Sequence, residues 1–214
     1  MVAIIDYNCG NLRSVENALE RLGCQYVLTR DAATIKAADK VILPGVGNAA
    51  EAMANLQKTG LVPVIKKLRQ PVLGICVGMQ IMCRDSEEGG GVECIGIFDA
   101  HVRRLPDNPQ AKVPHVGWNE IGNLNLGKCK LFNGIGLGGA DSAASSAGTD
   151  RYVYFVHSYY LQADDEGIVK ATTEYGTHIH ASVEKDNVFG CQFHPEKSSE
   201  TGMQILRNFI AKTK

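Results

Sequence analysis

Up to about residue 90, short β-rich runs alternate with stretches of helical periodicity, and no other feature restricts the fold so tightly. Val2–Asp6 is a buried-strand pattern that breaks at Tyr7-Asn8-Cys9-Gly10-Asn11. Leu12, Val15, Ala18, Leu19 and Leu22 then recur at helical spacing before Gly23 stops the helix. The unit repeats as Tyr26–Thr29 with a short helix near Ala32–Ala37, and as Lys40–Leu43 with Pro44-Gly45-Val46-Gly47 and a helix through Ala49–Leu56. It returns once more as Pro71–Ile75 with a helix from Val77. Helical crossovers between strands predict an α/β fold, with a mainly parallel central sheet and helices on both faces.

Beyond that point strands follow one another more directly. Val113–Val116, Tyr152–Val156, Ile168–Thr173, His178–Val183 and Val188–Phe193 predict an antiparallel or mixed extension of the sheet, closed by a helix near Thr201–Ala211. Gly138–Gly148 contains only Gly, Ala, Ser and Asp, too little apolar surface to fix a conformation, so a mobile loop is expected over about 134–149. The loop is too short and too central to read as a linker, and 1–214 is taken as a single domain.

Charge and cysteine usage narrow the function. Lys+Arg 22 against Asp+Glu 23 gives a net charge of -1, which provides no global field for nucleic acid or an anionic membrane. Apolar runs such as Val2–Ile5 and Val41–Leu43 fall far short of the ~20 residues that span a bilayer, and Met1 opens into a strand without a basic leader. A cytosolic protein is expected. The cysteines, Cys9, Cys24, Cys76, Cys83, Cys94, Cys129 and Cys191, are an odd, scattered set without a C-x-x-C pair, and they predict neither a disulfide framework nor a metal site.

The strongest local signal is Gly74-Ile75-Cys76-Val77-Gly78, where a buried strand runs straight into a helical pattern. A cysteine flanked by glycines at such a turn is the sulfur counterpart of a nucleophile elbow, and a helix N-terminus favours the thiolate. G-x-C-x-G also arises by chance, so the elbow alone leaves Cys76 open to being one more buried cysteine. A second cluster, Phe193-His194-Pro195-Glu196, ends a strand; residues two apart in extended chain share a face, which brings a Glu196 carboxylate to the His194 ring. A base with its orienter then complements a thiol nucleophile, although a lone strand-end histidine is ordinarily just solvent-facing. Third, the glycines of Pro44-Gly45-Val46-Gly47 let backbone N–H groups turn toward a ligand. Val46 N–H and Val77 N–H form the candidate oxyanion pair, with Gly45 and Gly47 shaping the turn.

With these three motifs in place, the chain resembles a class I (triad) glutamine amidotransferase over essentially its whole length, with the flavodoxin-like fold of that family. It is most similar to the histidine-biosynthetic branch. The pointers are Ile5-Asp6-Tyr7-Asn8-Cys9-Gly10-Asn11, Pro44-Gly45-Val46-Gly47, Pro114-His115-Val116-Gly117-Trp118-Asn119, Tyr154-Phe155-Val156-His157-Ser158-Tyr159 and Lys197-Ser198-Ser199. The resemblance implies a glutaminase in which Cys76 attacks the glutamine amide, His194 shuttles protons and Glu196 orients His194. It implies no cofactor. It also implies a heterodimer in which ammonia passes to a (β/α)8-barrel cyclase subunit. Gln80, Glu88, Ser158 and Tyr159 match the positions that hold glutamine. Asn11, Trp118 and Lys197 match partner-facing positions, although by themselves they read as a helix N-cap, a half-buried aromatic and an exposed lysine. Two features depart from the family: the long Gly134–Gly148 stretch, and Gly89-Gly90-Gly91, which loosens the loop after Glu88 and ranks it below Gln80. Glutaminase subunits of pyridoxal phosphate or anthranilate synthase share the fold, but Trp118 and Lys197-Ser198-Ser199 speak against them. A non-catalytic flavodoxin-like binding protein is the remaining alternative.

Overall fold

The computed structural model describes residues 1–122, 129–136 and 151–213, so the Gly138–Gly148 run expected to be mobile lies outside the described residues. The alternating half folds as read. β1 (Val2–Ile5), α1 (Leu12–Arg21), β2 (Tyr26–Thr29), α2 (Ala32–Ala37), β3 (Lys40–Leu43), α3 (Ala49–Lys58), α4 (Val62–Ile65), β4 (Val72–Ile75) and α5 (Val77–Gln80) follow in order. Caps set two of the helix starts: Asp31 accepts from Thr34 N ahead of α2, and Asn48 accepts from Ala50 N and Glu51 N ahead of α3. Every residue of β1 and of β4 is buried, so both faces of the sheet are covered there.

Past α5 come β5 (Asp85–Ser86), β6 (Val92–Glu93), β7 (Ala100–Arg104), β8 (His115–Glu120), β9 (Tyr152–His157), β10 (Tyr159–Ala163), β11 (Val169–Glu174), β12 (His178–Lys185), β13 (Val188–Cys191) and α6 (Ser199–Lys212). Among the described residues the main sheet has seven strands, in the order β11-β12-β13-β4-β3-β1-β2. β2, β1, β3, β4 and β13 are parallel, while β12 and β11 add antiparallel strands beyond β13.

The expected extension is therefore only partly in the sheet. Among the described residues, β8 and β9 pair only with each other, and β10, β7, β5 and β6 form a separate four-stranded sheet. One face of this ribbon meets solvent: Val116, Trp118, Tyr152 and Val156 are exposed, while His115, Val153, Phe155 and His157 turn inward. The strand expected over Val113–Val116 begins only at His115, since Pro114 has no N–H for a ladder. That expected over Val188–Phe193 stops at Cys191, because His194 leads into a 3-10 turn over Pro195–Lys197.

One hydrophobic cluster runs from Val2 in β1 to Phe209 in α6, where Phe209 meets Phe189 of β13 edge to face with centroids 6.1 Å apart. Strand order reverses between β1 and β3, and the crevice beyond the strand C-termini at such a point is where doubly wound sheets hold ligands. Registers Leu43↔Gly74 and Ile75↔Cys191 bring the ends of β3, β4 and β13 level. Pro44, Cys76 and Gln192 thus leave the sheet side by side.

Candidate active site

At the end of β4 the chain turns so sharply that Cys76 has φ 52 and ψ −114, a conformation that costs a residue with a Cβ on the order of 1–3 kcal/mol. The surroundings hold it there. Cys76 N donates to Cys191 O at 2.7 Å, and Cys76 O accepts from Gln80 N at 3.0 Å. Both flanking glycines are obligatory: a Cβ on Gly74 would lie 2.7 Å from Met79 Cα, and one on Gly78 only 1.9 Å from Leu43 O. A Cβ on Gly45 would come within 2.5 Å of Gly78 N, so the Pro44–Gly47 turn rests directly on the elbow. Tyr7 fastens that turn from behind, its hydroxyl donating to Pro44 O at 2.6 Å in the core.

Cys76 is itself buried, and what sets it apart from the other six thiols is its neighbour. Burial is the largest influence on each of them, pushing Cys9 up to about 11, Cys94 and Cys129 up to about 12, and Cys24, Cys83 and Cys191 upward as well. Thiols raised in this way are poor nucleophiles at neutral pH. Cys76 instead faces an imidazole. His194 Nδ1 is 2.8 Å from Glu196 Oε1, both side chains are almost wholly buried, and His194 Nε2 has no hydrogen-bond partner among the described residues. Burial disfavours the imidazolium, but the Cys76 sulfur and the Glu196 carboxylate outweigh it and push His194 up to about 10. The His–Glu contact is closed by the 3-10 turn rather than by two residues sharing a strand face.

A cleft of about 410 Å³, counting its open mouth, is lined by Cys76, His194, Val46, Gly47, Val77, Gln80, Glu88, Ser158 and Tyr159, together with Val156 and His157. The structure thus gathers nearly all the expected site residues. Gly45 and Glu196 lie behind, in a smaller recess shared with Asn11 and Pro44. Val77 N–H opens the first turn of α5, where backbone donors have no intrahelical acceptor. Glu88 reaches the cleft through its glycines. Gly89, Gly90 and Gly91 have φ of 69, 89 and 97, forming a tight turn that sets Glu88 Oε2 2.6 Å from Ala49 N at the start of α3. Burial raises the Glu88 pKa against that hydrogen bond.

Asn11 does not cap α1. It is left-handed, with no side-chain cap bond, and its Nδ2 donates to Glu196 Oε1 at 3.2 Å while Ser14 Oγ donates to its Oδ1 at 2.6 Å. Trp118 and Lys197 are exposed and lie outside the cleft.

Several contributors escaped the sequence reading. His157 lines the cleft, donates from Nδ1 to Tyr159 O at 2.9 Å and meets His115 Nδ1 with its Nε2 at 3.0 Å. Gln80 Nε2 donates to the same Tyr159 carbonyl at 2.8 Å and to Gln192 Oε1 at 3.0 Å, and Gln192 Nε2 lies 3.8 Å from Cys76 Sγ. The signal for Gln192 was present: the rule of alternate faces, taken one step back from His194, lands on it. His115 and His157 offered none, because their cross-strand pairing follows from a register that the chain does not spell out.

Residues 3–213 match the family described as glutamine amidotransferase class-I. Among curated relatives, the chain is 50% identical over 210 residues to the imidazole glycerol phosphate synthase subunit HisH of Bacteroides fragilis (strain YCH46), covering 98% of each chain. It is 47% identical over 211 residues to the subunit of that name from Moorella thermoacetica, covering 97% of this chain and 93% of that one. Among solved structures, a glutamine amidotransferase crystal structure superposes with a TM-score of 0.71 at 18% identity, covering 98% of this chain and 97% of that one. A glutamine amidotransferase from Thermotoga maritima gives 0.61 at 18%, covering 98% and 81%. The superpositions establish a common fold.

Proposed function

The chain belongs to the class I glutamine amidotransferases, glutamine-hydrolysing enzymes, and from this premise we propose that it works as the glutaminase subunit of an imidazole glycerol phosphate synthase. The observation that carries the chemistry is the meeting of Cys76, His194 and the Val46–Gly47 turn in one cleft. Cys76 Sγ attacks the side-chain amide carbon of glutamine, with its proton going to His194 Nε2. The amide oxygen becomes an oxyanion, for which the N–H groups of Val46 and Val77 are the donors. As the tetrahedral intermediate collapses, the C–N bond breaks and His194 returns the proton to the departing ammonia, leaving a thioester on Cys76. Water deprotonated by His194 then adds to the thioester, and glutamate leaves as the Cys76–carbonyl bond breaks. Glu196 keeps the ring oriented and stabilises its charged form.

Glutamine is held by Gln80, Glu88, Ser158 and Tyr159 along the cleft. The whole chain acts as one domain. Ammonia passes to a cyclase subunit with a (β/α)8 barrel, which forms imidazole glycerol phosphate and aminoimidazole carboxamide ribotide. Asn11, Trp118 and Lys197 face that partner. The exposed apolar face of the β8–β9 ribbon supports a protein contact on that side.

The test is glutamate release from glutamine by the chain alone and with a histidine-pathway cyclase subunit and its nucleotide, with Cys76→Ala as the blank. Stimulation that requires both Cys76 and the cyclase is the expected result. Release that is unaffected by that cyclase would assign the glutaminase to another synthase, and release that persists in Cys76→Ala would remove Cys76 from the chemistry.

A further inference from the structure

Gln192 is wholly buried at the end of β13, where its backbone N–H is fixed to Ala181 O at 2.9 Å. Its side-chain orientation follows from a group that has no choice. The carbonyl of Tyr159 only accepts, so the atom of Gln80 that lies 2.8 Å from it is the amide nitrogen. That same nitrogen lies 3.0 Å from the Gln192 side chain, which must therefore present its oxygen. The amide nitrogen of Gln192 is left facing Cys76 Sγ at 3.8 Å. Turning Gln192 over would set two N–H groups against each other and aim a carbonyl oxygen at the sulfur.

Cys76 Sγ has a second neighbour of opposite preference, Val156 O at 3.9 Å. A carbonyl there accepts a hydrogen bond from S–H and favours the thiol, whereas an N–H that donates a hydrogen bond to sulfur favours the thiolate. We propose that Gln192 is a positioning residue for the Cys76 thiolate: its amide N–H, aimed by Gln80 and the Tyr159 carbonyl, stabilises the anion and holds the sulfur away from Val156 O. His194 balances the charge from one side while Gln192 sets the direction of the lone pair from another. This inference rests on Cys76 being the nucleophile.

The experiment measures alkylation of Cys76 by iodoacetamide against pH in the full-length chain, resolved from the other cysteines by peptide mass spectrometry. Two variants are compared with the wild type. Gln192→Met keeps the length and removes the donor. Gln192→Glu keeps the shape and the acceptor for Gln80, and sets a carboxylate oxygen with its negative charge where the N–H faced sulfur. The alkylation midpoint is expected to rise by about one pH unit in Gln192→Met, a tenfold loss of thiolate at a given pH, and further in Gln192→Glu. Glutaminase kcat in Gln192→Met falls by about tenfold with KM for glutamine unchanged, a split that loosened packing alone would not produce. Unmoved midpoints in both variants overturn the role of Gln192 and leave Cys76 as nucleophile. A wild-type Cys76 that alkylates no faster than Cys24 at neutral pH overturns the nucleophile assignment and this inference with it.

Discussion

Acid is expected to loosen this protein from within, through His157. The ring is buried against the cleft, and burial, aided by the nearby His115 and His194, lowers its pKa to about 3. Its Nδ1 proton is committed to Tyr159 O, so Nε2 must accept from His115 Nδ1. A second proton on His157 would set two N–H groups against each other across that 3.0 Å contact. An unfolded histidine takes up its proton near 6.5, so between about 6.5 and about 3 the unfolded chain binds more protons than the folded one, and stability falls as pH falls. At about 1.4 kcal/mol per unit, going from pH 7 to pH 5 removes about 2 kcal/mol. His194 does not contribute to this loss. Its raised value gives stability that is fully present below 6.5 and lost only as pH climbs through about 10. Urea unfolding of the wild type and of His157→Gln at both pH values makes the comparison. The wild type should lose about 2 kcal/mol more than the variant, a midpoint difference of about 1 M at a slope of ~2 kcal/mol/M. Parallel pH dependence in the two proteins would refute the reasoning, because the titrating ring would then not be the one that resists protonation.

Gly78→Ala forces a methyl against Leu43 O at 1.9 Å and should abolish glutaminase activity while lowering the thermal midpoint, as read by calorimetry and glutamate release. Tyr7→Phe leaves Pro44 O without its donor in the core and should cost about 1–3 kcal/mol in urea unfolding, whereas an unchanged midpoint would show that the hydroxyl does not anchor the turn. Asn11→Ala removes a donor to Glu196 Oε1 and should lower kcat about tenfold with KM for glutamine unchanged, with or without the cyclase; an unchanged kcat would show that the contact to Glu196 does not support the His194 ring.

The parallel half was legible because its signals are local. β1, β3 and β4 are short apolar runs, each followed within a few residues by a turn that carries glycine or proline, and the helix stripe from Leu12 to Leu22 has one period. The elbow was equally local, since Gly74 and Gly78 flank the residue that needs them. What stayed hidden depends on pairing between distant segments. Nothing in Tyr152–Val156 states that the strand leaves the main sheet to pair with β8, nor that His157 will lie opposite His115. Apart from the resemblance, which makes it partner-facing, Asn11 reads as a cap because Asn is a preferred N-cap; here its left-handed backbone leaves α1 without a side-chain cap, and the side chain reaches Glu196. Glu88 was ranked low because three glycines read as slack, whereas their three positive φ values build the turn that delivers its carboxylate.

The place of β13 has a consequence for how the molecule comes into being. It is the last strand among the described residues, yet it lies inside the main sheet between β4 and β12. Until it arrives, β4 ends in a thiol with no imidazole beside it, and Cys76 N lacks the Cys191 carbonyl that helps to hold the elbow. A chain still emerging from the ribosome therefore has Cys76 in place long before His194 is added. In the proposed mechanism the imidazole reaches the sulfur in the same docking step that closes the core, so the glutaminase site would be complete only with the finished fold.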